Sequence, residues 1–302
     1  MQSPVTRREN VSLITSFPSS RIIEEYRHEG VSVERFFTGI KEVGLYECGD
    51  TGYRFYWPEN IFGDGAFYAD LQRNQKEYYP EAKWEHHYAT GQINAGEQVL
   101  EVGAGDGVFL KMLKNKGIIA HGLELNPEGI ADARAQGLSM DGESVQDHAA
   151  RFPGKYDVVC AFQVLEHIYD VHDFLTACVS LLRKGGRLII GVPNNNPFLY
   201  RYDSWHTLNL PPHHAGLWGR KAFGQMPKWF GLGVEQIIVE PLHPKLGQYK
   251  KWFEVQKAHY REHNPLLYQL MRITPRPLYK VLMRVCSPAI EGRNIIGIFK
   301  KA

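Results

Sequence analysis

Val99-Leu100-Glu101-Val102 runs directly into Gly103-Ala104-Gly105-Asp106-Gly107, and that into Val108-Phe109-Leu110-Lys111. Apolar β-formers, then alternate glycines, then helical spacing dictate a buried strand, a tight turn and a helix, in that order. Without Cβ atoms the turn lets a ligand come against main-chain N–H groups at the start of the helix. A strand apolar on both faces is buried between two helix layers, which commits the chain to an α/β sheet.

The neighbouring sequence repeats the unit. Apolar runs at Gln98 to Val102, Ile118 to Glu124, Leu138 to Asp141, Tyr156 to Phe162 and Arg187 to Val192 alternate with helical stretches, the pattern of parallel strands with crossover helices. Val108 to Lys116 reads as a helix closed by Gly117, and Asn126-Pro127-Glu128 gives the next helix its N-cap, first-turn proline and first-turn acid. The core is placed at residues 91–243 and 288–302. Residues 1–90, crowded with aromatics broken by Gly and Pro, read as a cap or lid. Beyond the fifth strand come a loop from Asn194 to Ala215, a helix near Lys221 to Phe230, and strands near Val234 to Val239 and Asn294 to Phe299. Residues 244–287 separate those two strands and read as a helical insertion.

Composition narrows the class. No apolar run approaches the roughly 18 to 20 residues that span a bilayer, and the opening MQSPVTRREN lacks the apolar stretch of a secretion signal. A soluble, cytoplasmic protein is expected. Cys48, Cys160, Cys178 and Cys286 are too scattered for a CxxC metal pair; neither disulfides nor a metal site is expected. With 35 basic against 33 acidic residues, the chain carries no nucleic-acid footprint. The basic excess is local: Lys245, Lys250, Lys251, Lys257, Arg261, Arg272, Arg276, Lys280 and Arg284 face only Glu254 and Glu262 in sequence. Aromatics interleave that segment, which fits a solvated helical hairpin or a surface for an anionic acceptor or a membrane.

Two acids define the ligand. Glu124 ends the second strand, where a carboxylate can accept hydrogen bonds from both hydroxyls of a ribose. A dinucleotide fingerprint wants its third glycine where Val108 stands; the glycines here fall at 103, 105 and 107. Glu101, just before the turn, would repel a diphosphate and favour an ammonium or sulfonium, which points to S-adenosylmethionine. Among Tyr-x-x-x-Lys pairs, Tyr79 and Lys83 precede the sheet and enclose Pro80, which breaks helical spacing and weakens a dehydrogenase reading.

These residues resemble class I S-adenosylmethionine-dependent methyltransferases, in particular the group with Val-Leu-Glu-His after the fourth strand. That segment is Val164-Leu165-Glu166-His167 here, and Gly185 to Pro193 is similar to the family's fifth strand. The resemblance is strong over about 95 to 195. The runs Tyr78 to His86 and Leu210 to His214 resemble segments of relatives acting on sugars and polysaccharides. The resemblance implies a Rossmann-like, doubly wound sheet of seven strands with the last antiparallel, and S-adenosylhomocysteine as product. It further implies that Glu101 and Gly103 hold the methionine end, that Glu124 meets the ribose, and that Gly105 and Leu125 belong to the cofactor site. Ser144 and Val145 would meet the adenine, with the acid of the third strand left between Asp141 and Glu143. Phe162 and Gln163 would line the donor pocket.

Transfer to a hydroxyl gains from a positioned base. His167, beside the donor pocket, and His213 or His214, on a loop stiffened by Pro211 and Pro212, are the candidates. Tyr79 and Trp84 are expected as lid residues, and His86 or His87 as contacts to donor or acceptor. The expected reaction is O-methylation of a carbohydrate, nucleotide-sugar or glycan. A natural-product acceptor, an NAD-dependent oxidoreductase and a catalytically silent adenosyl-binding module are the alternatives.

Overall fold

A computed structural model of the chain describes residues 1–74, 82–195, 205–242 and 248–302. The chain opens with strand β1 (Val11–Pro18) and helix α1 (Ser19–His28), which buries Ile22 and Tyr26 one turn apart. Strands β2 (Glu42–Cys48) and β3 (Arg54–Trp57) follow, then helices α2 (Gly65–Asn74) and α3 (Trp84–Thr90). The core comprises β4 (Gln98–Val102), α4 (Val108–Asn115), β5 (Ile119–Leu123), α5 (Pro127–Ala135), β6 (Met140–Asp141), α6 (Val145–Arg151), β7 (Tyr156–Phe162), α7 (Val171–Leu181) and β8 (Leu182–Pro193). After these come β9 (Gly216–Leu217), α8 (Arg220–Gln225), β10 (Leu232–Pro241), α9 (Gln248–His263), α10 (Pro265–Ile273), α11 (Arg276–Cys286) and β11 (Glu291–Lys301).

The main sheet has seven strands in the order β10-β11-β8-β7-β4-β5-β6. β4, β5, β6, β7 and β8 pair in parallel, whereas β11 runs antiparallel to both β8 and β10. Every residue of β7 is buried, as a strand covered by helices on both faces must be. Cys160 lies in that strand, and Cys160, Cys48 and Cys178 are buried free thiols. Asn126 caps α5 as its sequence dictates, its side chain accepting the Glu128 N–H at 3.0 Å.

The amino-terminal residues build more than a loose cover. β1, β2 and β3 form an antiparallel sheet whose fourth strand, β9, comes from the far end of the core, with its own cluster of Ile22, Tyr26, Val43, Leu45, Tyr56 and Phe67. The junction holds a loop in place. The Tyr26 hydroxyl donates to the carbonyls of Thr207 (2.8 Å) and Leu210 (2.9 Å). The Ala215 N–H donates to the Glu166 carbonyl (2.8 Å), and the Tyr56 N–H to the Ala215 carbonyl (3.0 Å). Residues 210–215 are therefore fixed between the second sheet and the end of β7. No helix among the described residues is long and apolar enough to cross a membrane.

Candidate active site

A cavity of about 1040 Å³ opens at the carboxyl ends of β4, β5 and β7, where an open α/β sheet receives its ligand. The glycine turn forms one wall. Gly103, Gly105 and Gly107 all have positive φ, at 72°, 55° and 83°, a region that L side chains seldom enter. A Cβ on Gly103 would also lie 2.4 Å from a Val164 methyl. Gly103→Ala should lower donor affinity at least tenfold by pushing the turn off Val164, with calorimetry on S-adenosylhomocysteine as the check and unchanged affinity as the refutation.

Glu124 organises this wall. Its carboxylate accepts the N–H groups of Gly105 (2.8 Å), Leu125 (2.7 Å) and Asn126 (2.9 Å), so it braces the turn while remaining half-exposed at the cavity. Leu125 beside it is an apolar side chain 71% exposed on the rim, a platform for a flat ring. Ser144 and Val145 line the same region; Ser144 also caps α6 by accepting the Asp147 N–H (3.1 Å). Between the two acids left open by the sequence, Glu143 lines the cavity but is engaged by Arg151 and by His148 (2.6 Å), while Asp141 turns to His121 (3.2 Å) and Arg134.

Three acids are buried in the cavity walls. Glu101 is 3% exposed and its Oε2 has no hydrogen-bond partner; burial raises its pKa well above the carboxylate range. Glu166 is pushed up to about 8, again chiefly by burial, and Glu85 is raised for the same reason. Lys83 lies near enough to all three to draw their pKa values partly back. A buried carboxyl without a partner calls for a cation. Together with a glycine cradle that a Cβ would fill, Glu101 fits the ammonium end of S-adenosylmethionine.

Gln163, at the end of β7, has φ 56° although it is not glycine, a strain of about 1 to 3 kcal/mol that surrounding contacts must hold. Its N–H donates to the Gly191 carbonyl (2.8 Å), and its side-chain amide donates to Glu85 (3.0 Å) and approaches Asn294 (3.4 Å). Phe162 packs edge-on against Phe109 and His86.

Histidines form a further wall. His167, His213 and His214 line the cavity, with ring centroids 4.7 to 5.0 Å apart. His167 Nδ1 lies 2.7 Å from the His213 carbonyl, which only accepts, so Nδ1 carries the proton and Nε2 the lone pair. Burial lowers all three: His167 to about 4, and His213 and His214 well below the ordinary imidazole value. They are neutral at pH 7. Tyr68, Ile168, Tyr169, Phe174 and Leu208 complete the surroundings as a mostly apolar, aromatic lining.

Other expected residues fall elsewhere. Tyr79 lies outside the described residues. α3 turns Glu85 and His86 into the cavity, which places Trp84 and His87 outside its lining; Trp84 stacks on Tyr88 at 5.6 Å and His87 is exposed. His86 is held as well, its Nδ1 accepting the Lys83 N–H at 3.3 Å. Sequence reading did not single out Glu85, Glu166, Tyr68 or Asn294. Only Glu166 had a local signal, its place between Leu165 and His167 in the quoted segment.

Residues 73–237, more than half of the 302, match a family model described as a methyltransferase domain. The chain is 33% identical over 108 residues to a ubiquinone biosynthesis O-methyltransferase of Sodalis glossinidius, covering 34% of this chain and 43% of that protein. It is 27% identical over 177 residues to the protein of the same description from Pseudomonas aeruginosa, covering 52% and 73%. The chain thus spans less than half the length of the first of these relatives. Among solved structures, a SAM-dependent methyltransferase from Archaeoglobus fulgidus is similar with a TM-score of 0.51 at 18% identity, over 78% of this chain and all of that one, and shares the fold.

Proposed function

The chain belongs to the methyltransferase-domain family, and from that premise we propose that it transfers the methyl group of S-adenosylmethionine to a hydroxyl oxygen of a ring-bearing acceptor. The observation that carries the reading is one cavity that holds, under the glycine turn, a buried carboxyl with an unpartnered Oε2 and, on its wall, three neutral imidazoles. When bound, the sulfonium supplies an electrophilic methyl group. The protein's residues supply position, and a fixed near-attack geometry can contribute several kcal/mol, up to about 7 to 11 in favourable systems.

Glu101 takes the ammonium, Glu124 the ribose hydroxyls, and Leu125 with Val145 the adenine face. The acceptor oxygen approaches the histidine wall, which receives the proton it loses as it attacks. An aromatic hydroxyl suits this wall better than a sugar: its pKa is near 10, within closer reach of weakly basic imidazoles, and Tyr68, Tyr169, Ile168 and Phe174 offer apolar contact. The relatives' names, O-methyltransferases of ubiquinone biosynthesis, support oxygen as the accepting atom. The carbohydrate acceptor expected from sequence draws no support from them. Part of the 78–86 run behind it lies outside the described residues.

Glu124→Ala should weaken S-adenosylmethionine binding by about 1 to 3 kcal/mol, because it removes charge-assisted hydrogen bonds and unbraces the turn. An unchanged dissociation constant would remove the ribose assignment. The activity itself is tested by incubating the protein with methyl-labelled donor and, in parallel, simple catechols and phenols, nucleotide sugars and glycolipids. Label on a phenolic oxygen is the expected result. Label confined to sugars would overturn the aromatic acceptor, and failure to bind either S-adenosylmethionine or S-adenosylhomocysteine would overturn methyl transfer altogether.

A further inference from the structure

We propose that His167, His213 and His214 form a binding site for one divalent transition-metal ion. One ligand-capable atom from each lies within 4.8 Å of the others. Three imidazole nitrogens at about 2.0 to 2.1 Å from a tetrahedral ion stand roughly 3.3 Å apart, so small ring rotations close the set. The second observation is independent of proximity: the Nδ1 atoms of His213 and His214 are fully buried without a hydrogen-bond partner, in side chains 6% and 3% exposed. Such groups ordinarily find partners. Close by, Glu166, 1% exposed, has an unpartnered Oε2 and holds its Oε1 3.7 Å from His167 Nε2.

The outer contacts have the form that ligating histidines need. The His167 Nδ1–H is committed to the His213 carbonyl at 2.7 Å, and Tyr68 donates to the same carbonyl at 3.1 Å, which fixes the ring and directs the lone pair of Nε2. Imidazole donors select zinc, cobalt, iron or nickel over magnesium or calcium, which prefer oxygen. Three protein ligands leave a position open for an oxygen from the cavity. This deepens the proposed function and rests on it only in naming that oxygen as the acceptor's; with an ion bound the three imidazole lone pairs would serve as its ligands and not as the proton acceptor.

The test loads purified protein with Zn²⁺ or Co²⁺ alone. One equivalent bound per chain by elemental analysis, with the intense visible absorption of four-coordinate Co²⁺, is expected. His213→Ala and His214→Ala should each weaken Co²⁺ binding roughly 100-fold while S-adenosylhomocysteine binding, measured by calorimetry, persists. Failure of wild-type protein that binds S-adenosylhomocysteine to take up either ion overturns the site, as does Co²⁺ binding unchanged in the double variant. Loss of S-adenosylhomocysteine binding in the wild type would instead strike the methyltransferase reading.

A different surface carries a second proposal: α10 and α11 lie on an anionic membrane. Leu266, Leu270 and Ile273 of α10 are 84%, 56% and 73% exposed, and Leu278, Val281, Leu282 and Val285 of α11 are 52%, 59%, 49% and 74% exposed. The α11 set recurs at i, i+3, i+4 and i+7, one continuous stripe. The basic excess of this segment in sequence includes exposed Arg272 and Arg284 beside the apolar residues. Apolar stripe plus cationic flank matches anionic lipid. Full-length protein should sediment with phosphatidylglycerol vesicles at least tenfold more than with phosphatidylcholine vesicles, and be released by salt. Ile273→Ser combined with Val281→Ser and Val285→Ser should abolish it with S-adenosylhomocysteine binding intact. Equal sedimentation with both vesicles overturns the proposal, as does a wild-type dimer that the triple variant dissociates, which would assign the stripe to a second copy.

Discussion

Glu101→Gln is expected to lower the affinity for S-adenosylmethionine and S-adenosylhomocysteine by roughly 200- to 4,000-fold, the cost of about 3 to 5 kcal/mol for breaking a buried charge pair. The substitution keeps shape and removes only the charge. The pH dependence makes the prediction more specific. Burial raises the Glu101 pKa in the free protein, so the carboxyl is protonated over a range where a solvated glutamate is not. Pairing with an ammonium requires the ionised form, so donor binding releases a proton. Wild-type affinity should therefore rise with pH, by up to about tenfold per unit below the free-protein pKa, and the slope should vanish in Glu101→Gln. Calorimetry in buffers of different ionisation enthalpy counts the proton. A flat wild-type profile, or a variant binding within twofold of wild type, would remove Glu101 from the donor site.

The donor end was legible because it is local. Strand, glycine turn, helix and the acid of the next strand occupy one stretch from Gln98 to Asn126, and short-range sterics tie those residue types to that geometry. The register of β4 against β5 then brings Glu124 to Gly105 with little help from the rest of the chain. The second sheet was not legible, since its fourth strand is two residues long and arrives from Gly216–Leu217, far from β3 in sequence. Helix phase decided α3: of two adjacent residues, Trp84 packs half-buried against the core outside the cavity and Glu85 faces the cavity, and the sequence there has no clean apolar period to set the phase. Glu85 is a site residue by burial, which no local pattern announces, and Glu166 had only its place in the Val164-Leu165-Glu166-His167 segment. The histidine wall lies between these cases. Each histidine was readable as a candidate, but their convergence is not, because His167 and His213 are 46 residues apart and meet only through the contacts that clamp residues 210–215 against β7.

That convergence sets the expected behaviour of the wall. His213→Asn and His214→Asn, which keep a polar side chain, should each lower turnover of the labelled acceptor by about 10²- to 10⁴-fold, with S-adenosylhomocysteine affinity within twofold of wild type. The two losses should not multiply in the double variant, because groups acting as one unit lose their joint effect at the first removal. Single-turnover kinetics with saturating donor separates the chemical step from binding. A purely structural wall predicts another pattern: His213 and His214 are buried beside the chain that joins the two sheets, so its loss would lower the melting temperature and donor affinity together. Turnover that falls while both stay constant is possible only if these imidazoles meet the reacting oxygen or what holds it.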